Sequence, residues 1–296
     1  MAVRLTYLLV IFIWTTTPLA IKLGGDTLDP MAGLSLRIAI AFLVGSTICT
    51  IAGIAVLNIK RNGILYFAGS LGLFPNMALV YFSAEYICSG LIALMFGLLP
   101  FFTAILSKPI LGKSSLSSQK IIAIVLAIVG LLFIFYDDGI MIGEAYIGLL
   151  LMLGSNLVFA ACTLWMKKIN KILNVPPFEQ TLGAMAFSLP GMLITWFFVV
   201  GYEPLQFSSV SIASLLYLSL FASLVGFAAY YHILNNMSVD TVALIPLITP
   251  ITAMVLGVIV ADETITRAMY IGAAFILVAL IIHQGFLYKI LKIVRQ

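Results

Sequence analysis

Residues 119–136 read QKIIAIVLAIVGLLFIFY. From Ile121 to Tyr136 no charged side chain interrupts the run. About 17–25 such residues, at 1.5 Å rise each, cross a hydrocarbon core about 30 Å thick. A membrane strand would instead alternate apolar and polar positions over about ten residues. The stretch therefore reads as a bilayer-spanning helix, and the chain around it repeats the pattern.

Four further apolar runs precede it, at 6–23, 31–57, 64–84 and 89–111. Five follow, at 145–166, 178–200, 210–234, 239–260 and 268–287. Short connections hold the turn formers Gly24-Gly25, Asp29-Pro30, Asn62-Gly63, Asp138-Gly139, Pro176-Pro177 and Asn235-Asn236. Of the 296 residues 63% are hydrophobic and only 9% charged. Soluble domains carry about 25% charged residues, so this chain lacks the material for a water-exposed surface. The first run follows Arg4 and resembles a secretion signal, but it has no small-residue cleavage site and contains Pro18 and Lys22. It is expected to be a retained first helix.

Charge placement tests the count of ten. With the amino terminus on the cytoplasmic side, the inside segments hold Arg4, Lys60, Arg61, Lys108, Lys113, Lys120, Lys167, Lys168, Lys171, Lys289, Lys292 and Arg295. Only Lys22 and Arg267 fall outside, and Arg37 lies within the second span. The acids run the other way: only Glu179 and Asp240 face in. Adding or removing one span would scramble this separation. The positive-inside rule thus predicts ten spans with both termini cytoplasmic.

The two halves also resemble each other. Sliding 76–106 by 150 positions onto 226–256 pairs Ala78 with Ala228, Tyr81 with Tyr231, Ala93 with Ala243, Leu94 with Leu244, Pro100 with Pro250 and Leu106 with Leu256. Between the first and sixth spans, Trp14 aligns with Phe159 and Lys22 with Lys167. Repeats of five spans each, 1–138 and 139–296, must lie upside down relative to one another, because five is odd. Inverted repeats are a recurring plan of secondary transporters, with the solute site near the midplane where the repeats meet. The expected fold is an all-α polytopic membrane protein of ten transmembrane helices, built as two inverted five-helix repeats.

Several motifs carry a resemblance. The opening Ile13-Trp14-Thr15-Thr16-Thr17-Pro18-Leu19-Ala20-Ile21-Lys22, Pro30 followed by Arg37, and the segment from Ala243 to Pro250 with Asp262-Glu263 are similar to the ten-span EamA family of the drug/metabolite transporter superfamily. The resemblance covers the whole chain. It departs at Gly112-Lys113, where the family often has Gly-Glu. It implies a permease of the inner or plasma membrane, often an exporter, for amino acids, related metabolites or drugs.

Candidate site residues follow from what is costly or unusual inside a span. An arginine there costs about 2.5–3.5 kcal/mol on insertion scales, so Arg37 either faces a cavity or partner or snorkels to the headgroups. Trp14, Thr17, Pro18 and Ile21 share one helical face at spacings of three and four. Trp14 offers a flat apolar wall with one N–H donor. Pro100, Pro246 and Pro250 are expected to kink or interrupt the fourth and ninth helices, and backbone groups freed at membrane depth need protein or a water-filled cavity. Asn76 and Asn156 are the deepest amides. The candidate substrate-binding set is therefore Trp14, Thr17, Pro18, Arg37, Asn76, Pro100, Asn156, Pro246 and Pro250. Tyr81, Trp165, Tyr231 and His232 fall near span ends, where aromatic belts are the default reading.

Other chemistry finds little support. Cys49, Cys88 and Cys162 match no metal or disulfide spacing. Gly112-Lys113-Ser114 lacks the earlier glycine and the strand of a phosphate-binding loop. No carboxylate sits at mid-span, and Asp137-Asp138 in an outer loop is a poor basis for a lipid-modifying enzyme. The expectation is therefore a non-enzymatic carrier with no cofactor or metal. A channel remains the alternative, and a lipid-modifying membrane enzyme is a more distant one. The expected partners are a small-molecule substrate such as an amino acid or metabolite, the lipid bilayer and, as an open option, a second copy in a homodimer; nucleic acid is not among them.

Overall fold

A computed structural model describes residues 2–53, 57–112, 116–135, 144–199, 201, 204–242, 245–283 and 285. Lys113, Asp137, Asp138, Glu203 and the basic tail, all used in the charge map, lie outside these, as does the expected boundary at 138/139.

The described chain is helical. Its first part contains α1 (Ala2–Gly24), α2 (Pro30–Ile51), α3 (Ile59–Ser70), α4 (Asn76–Tyr86), α5 (Ser89–Phe96), α6 (Leu99–Leu111) and α7 (Ser118–Phe135). The second contains α8 (Ala145–Leu173), α9 (Pro177–Val199), α10 (Ser209–Tyr217), a π-helical stretch (Leu218–Val225), α11 (Gly226–Asn236), α12 (Val239–Val242), α13 (Ile245–Ala261) and α14 (Arg267–His283). Among the described residues seven stretches are long and apolar enough to cross a membrane, and shorter apolar helices cover Thr252–Ala261 and Arg267–His283. Large apolar side chains cover the outside, among them Phe12, Leu43, Ile122, Phe198 and Ile259. Helices apolar all round are suited to a lipid environment.

Local chemistry sets the helix ends. Asp29 caps α2, its carboxylate accepting from the Met31 and Ala32 amides at 2.7 and 3.2 Å, while Pro30 takes the first helical position, where its missing N–H costs nothing. Ser208 and Ser211 form a reciprocal capping box at α10. Asn174 ends α8 in the left-handed region, and the side chain of Asn170 accepts from the Val175 amide at 2.8 Å.

The prolines sit differently in their helices. The fourth span breaks at Gly97-Leu98, and Pro100 lies in the first turn of α6, where no intrahelical N–H is required. Pro250 lies inside α13, whose helix continues through it. Pro246 falls in the first turn of α13, and its side chain lies outside the described residues.

Contacts between the halves come in reciprocal pairs. Helix α4 packs on α8 as α11 packs on α1, and α6 packs on α8 as α13 packs on α1. The pair α7 and α14 packs tightly. A Cβ added at Gly130 would lie 2.7 Å from the Gly272 carbonyl oxygen, and one at Gly272 would lie 2.6 Å from that of Gly130. Only glycine permits backbones this close. Phe133 and Phe275 stack beside the crossing, 5.4 Å apart.

Candidate functional site

Where α1, α2, α4 and α8 converge with the π-helical stretch, they enclose a cavity of about 50 Å³, room for a few waters. One wall is the α1 face: Trp14, Thr17, Pro18 and Ile21 all line it. Opposite stand Phe159, Phe227 and Met77, with Arg37 the one charged lining residue among the described residues. Trp14 and Phe159, aligned between the first and sixth spans, meet edge to face at 5.9 Å. Tyr230 packs on Trp14 at 4.9 Å.

Arg37 is 1% exposed, so it does not snorkel. Its Nε donates to Ser223 Oγ at 2.6 Å, and Nη1 donates to the Tyr81 hydroxyl at 3.3 Å. The guanidinium carbon also lies 5.9 Å from the centre of the Tyr81 ring. Ser223 belongs to the π-helical stretch, whose extra residue per turn alters the direction of nearby side chains. Such bulges are common at functional sites.

A second, open cavity of about 630 Å³ lies at the end of the molecule that carries Lys22, Asp26 and Glu85. Ile21 lines both spaces, and Tyr81, on the vestibule wall, holds the cavity's arginine. A thin layer around these two residues separates the spaces. At the opposite end the helices close. Lys167 donates from Nζ to the Leu234 carbonyl and, at 2.7 Å, to that of Met237. The Tyr7 hydroxyl donates to the Thr241 carbonyl at 3.2 Å, and the hydroxyls of Thr163 and Tyr230 pair at 2.8 Å.

The candidate residues separate into two groups. Trp14, Thr17, Pro18 and Arg37 come together on the cavity wall. Asn76, Asn156, Pro100 and Pro250 do not line it. Asn76 Nδ2 donates to the Gly72 carbonyl at 3.0 Å, and its Oδ1 accepts from Ser155 Oγ at 2.7 Å. Asn156 Nδ2 donates to the Met95 and Met152 carbonyls, both at 2.9 Å. Both amides tie α8 to its neighbours. Tyr81 and Tyr231 are 7% and 1% exposed, which corrects their reading as belt residues. Ser223, Thr163 and Tyr230 were missed; a hydroxyl within an apolar run carries no mark of its partner. Among the described residues no group of three His, Cys, Asp or Glu side chains could hold a metal.

The model of the EamA-like transporter family matches residues 2–136 and again 146–283. The chain belongs to the EamA-like transporter family. It is therefore a multi-pass membrane protein and a membrane transporter. An uncharacterized transporter of Clostridium kluyveri (strain ATCC 8527 / DSM 555 / NBRC 12016 / NCIMB 10680 / K1) is 25% identical over 260 residues, spanning 83% of this chain and 82% of that protein. A probable amino-acid metabolite efflux pump of Escherichia coli (strain K12) is 22% identical over 283 residues, spanning 93% and 92%. One crystal structure shares the fold with a TM-score of 0.69 at 15% identity, covering 96% of this chain and 97% of the other. The family and the two named relatives are described as transporters rather than enzymes.

Proposed function

We propose that this chain exports small organic solutes, such as amino acids or related metabolites, by alternating access. In this reading ten spans form two inverted repeats, 1–138 and 139–296, in the inner cell membrane, with both termini cytoplasmic. The observation that carries it is the arrangement along α1. A small central cavity at the contact of Trp14 with Phe159 lies beneath an open vestibule, and the other end is closed by Lys167 and Tyr7. A carrier needs one closed end at a time, whereas an open channel needs neither closed. The relative described as a probable amino-acid metabolite efflux pump supports the substrate class. The predominance of Lys and Arg at the closed end favours the vestibule facing outward.

The test is counterflow in proteoliposomes carrying the purified chain. A carrier gives saturable counterflow of a labelled amino acid or metabolite, reduced by Trp14→Ala in a variant that remains folded. Flux that is linear in solute and shows no counterflow would favour a channel instead.

A further inference from the structure

Arg37 is a buried cation whose two hydrogen-bond acceptors, Ser223 Oγ and the Tyr81 hydroxyl, are both neutral. A guanidinium carries five N–H donors, none of which can be lost by deprotonation. Two are used here, so three remain. Buried charges are ordinarily paired, because an ion removed from water without a counter-charge is expensive. Among the described residues no carboxylate is a partner of Arg37, and none lines the cavity. The sequence places its acids at the ends of the apolar runs, away from mid-span.

The second half of the chain sharpens this point. Helices α2 and α9 both open on a proline, Pro30 and Pro177. Counting seven residues on from each, the position of Arg37 is taken by Ala184, buried against the backbone near Gly69. The helix packing shared by the two halves therefore does not require an arginine. The charge occurs once, on the cavity wall, facing Trp14, Phe159, Phe227 and Met77.

We infer that the central cavity recognises a solute carboxylate through the free guanidinium donors of Arg37, with the solute's apolar body against Trp14, Phe159 and Phe227. This rests on the carrier reading above and narrows its substrate class. The solute is an organic acid with a carboxylate at one end and an apolar, preferably aromatic, body. Arginine suits the task because its planar fork matches a carboxylate bidentately. With no acid on the wall, an ammonium group gains no ion pair, so the carboxylate suffices and an amine of the same body is rejected. At about 50 Å³ the cavity in this state is smaller than such a solute, so binding must enlarge it. The Tyr81 hydroxyl, at 3.3 Å the longer of the two bonds to Arg37, is the contact a carboxylate would displace. Its ring stands on the vestibule wall.

Three compounds with one phenyl body distinguish the alternatives: 3-phenylpropionate, L-phenylalanine and 2-phenylethylamine. The purified full chain is titrated with each, and thermal stability is read, since a ligand of the folded state raises it by mass action. The acid and the amino acid should both raise the melting temperature in a saturable way, and the amine should not. Arg37→Lys should weaken both responses by roughly tenfold or more, the loss of one charge-assisted contact. Should that variant not fold, the wild-type series still decides. Stabilisation by the amine comparable to the acid, by phenylalanine alone, or by none of the three overturns the inference. Failure of the carrier reading is read separately: saturable binding without counterflow in proteoliposomes would remove the carrier and leave the carboxylate site.

Discussion

Lys22 donates from Nζ to the Ala84 carbonyl at 2.5 Å, a bond that recurs 150 positions further along the acceptor chain, where Lys167 donates to Leu234. Lys22 lies in the last turn of α1 and Lys167 about two turns before the end of α8, and each acceptor lies near the end of its own helix, α4 and α11. A cation among the last carbonyls of a helix is favoured by the helix dipole. The two bonds lie at opposite ends of the molecule, one in the open vestibule and one at the closed end. Lys167 has a second acceptor in Met237.

This asymmetry sets the order of two variants. A hydrogen bond to a charged group contributes about 1.5–3 kcal/mol. Lys167→Met removes two such bonds and Lys22→Met one. The melting temperature of the purified protein should fall further for Lys167→Met. A cysteine placed at Val239, beside Trp14 and Tyr230 at the closed end, should also become reactive to a membrane-impermeant maleimide only in the Lys167→Met background. Equal melting temperatures and no gain in labelling would show that these bonds do not hold the end closed.

The crossing of α7 and α14 yields a steric prediction. A methyl group at Gly130 or Gly272 meets a backbone carbonyl oxygen of the facing helix at 2.6–2.7 Å as well as side chains, and the backbone cannot move aside as a side chain can. Overpacking of this kind costs about 1–3 kcal/mol, so Gly130→Ala and Gly272→Ala should each lower thermal stability. Gly154→Ala is the control, since its nearest new neighbour is Leu79 Cδ1 at 3.5 Å, an ordinary contact. A common small effect at all three positions would contradict the close approach.

The sequence exposed some of this directly and hid the rest for physical reasons. The α1 face was legible because helical periodicity alone puts Trp14, Thr17, Pro18 and Ile21 together, whatever they face. Arg37 was legible because a charge in a span is costly enough to need a cause. Asn76 and Asn156 drew attention for the same reason, yet a buried amide can be satisfied by a neighbouring helix as well as by a solute, and depth does not separate the two. Pro100 marked the right region but not the mechanism: the break falls at Gly97-Leu98, and the proline begins the next helix. The π-helical stretch left no trace in the apolar pattern, so Ser223 could not be paired with Arg37 in advance.

The two amides give a separable outcome. Asn156→Leu removes the 2.9 Å side-chain bond that ties α8 to the Met95 carbonyl in the last turn of α5, which then keeps the Leu98 amide at 3.0 Å. A hydrogen bond of this kind contributes about 0.5–1.5 kcal/mol. Its thermal stability should drop while the KM for transport, measured on folded protein, stays near wild type. A raised KM with unchanged stability would place Asn156 in the solute path instead.

The setting of Arg37 leads to the most discriminating comparison. Its Nε bond to Ser223 is 2.6 Å, whereas the bond to Tyr81 is 3.3 Å and is supplemented by a ring contact that does not need the hydroxyl. Ser223→Ala removes the shorter bond outright and leaves an N–H of a buried cation without an acceptor, at a cost of about 1.5–3 kcal/mol. Tyr81→Phe removes only the longer bond and keeps the aromatic face. Stability should therefore fall more for Ser223→Ala than for Tyr81→Phe. The effect should be conditional on the charge: in an Arg37→Met background the cost of Ser223→Ala should largely vanish, because residues in direct contact couple rather than add. A double-mutant cycle read by thermal or denaturant unfolding measures this coupling. Full additivity would mean that Ser223 supports the π-helical stretch on its own account and does not hold the arginine in place.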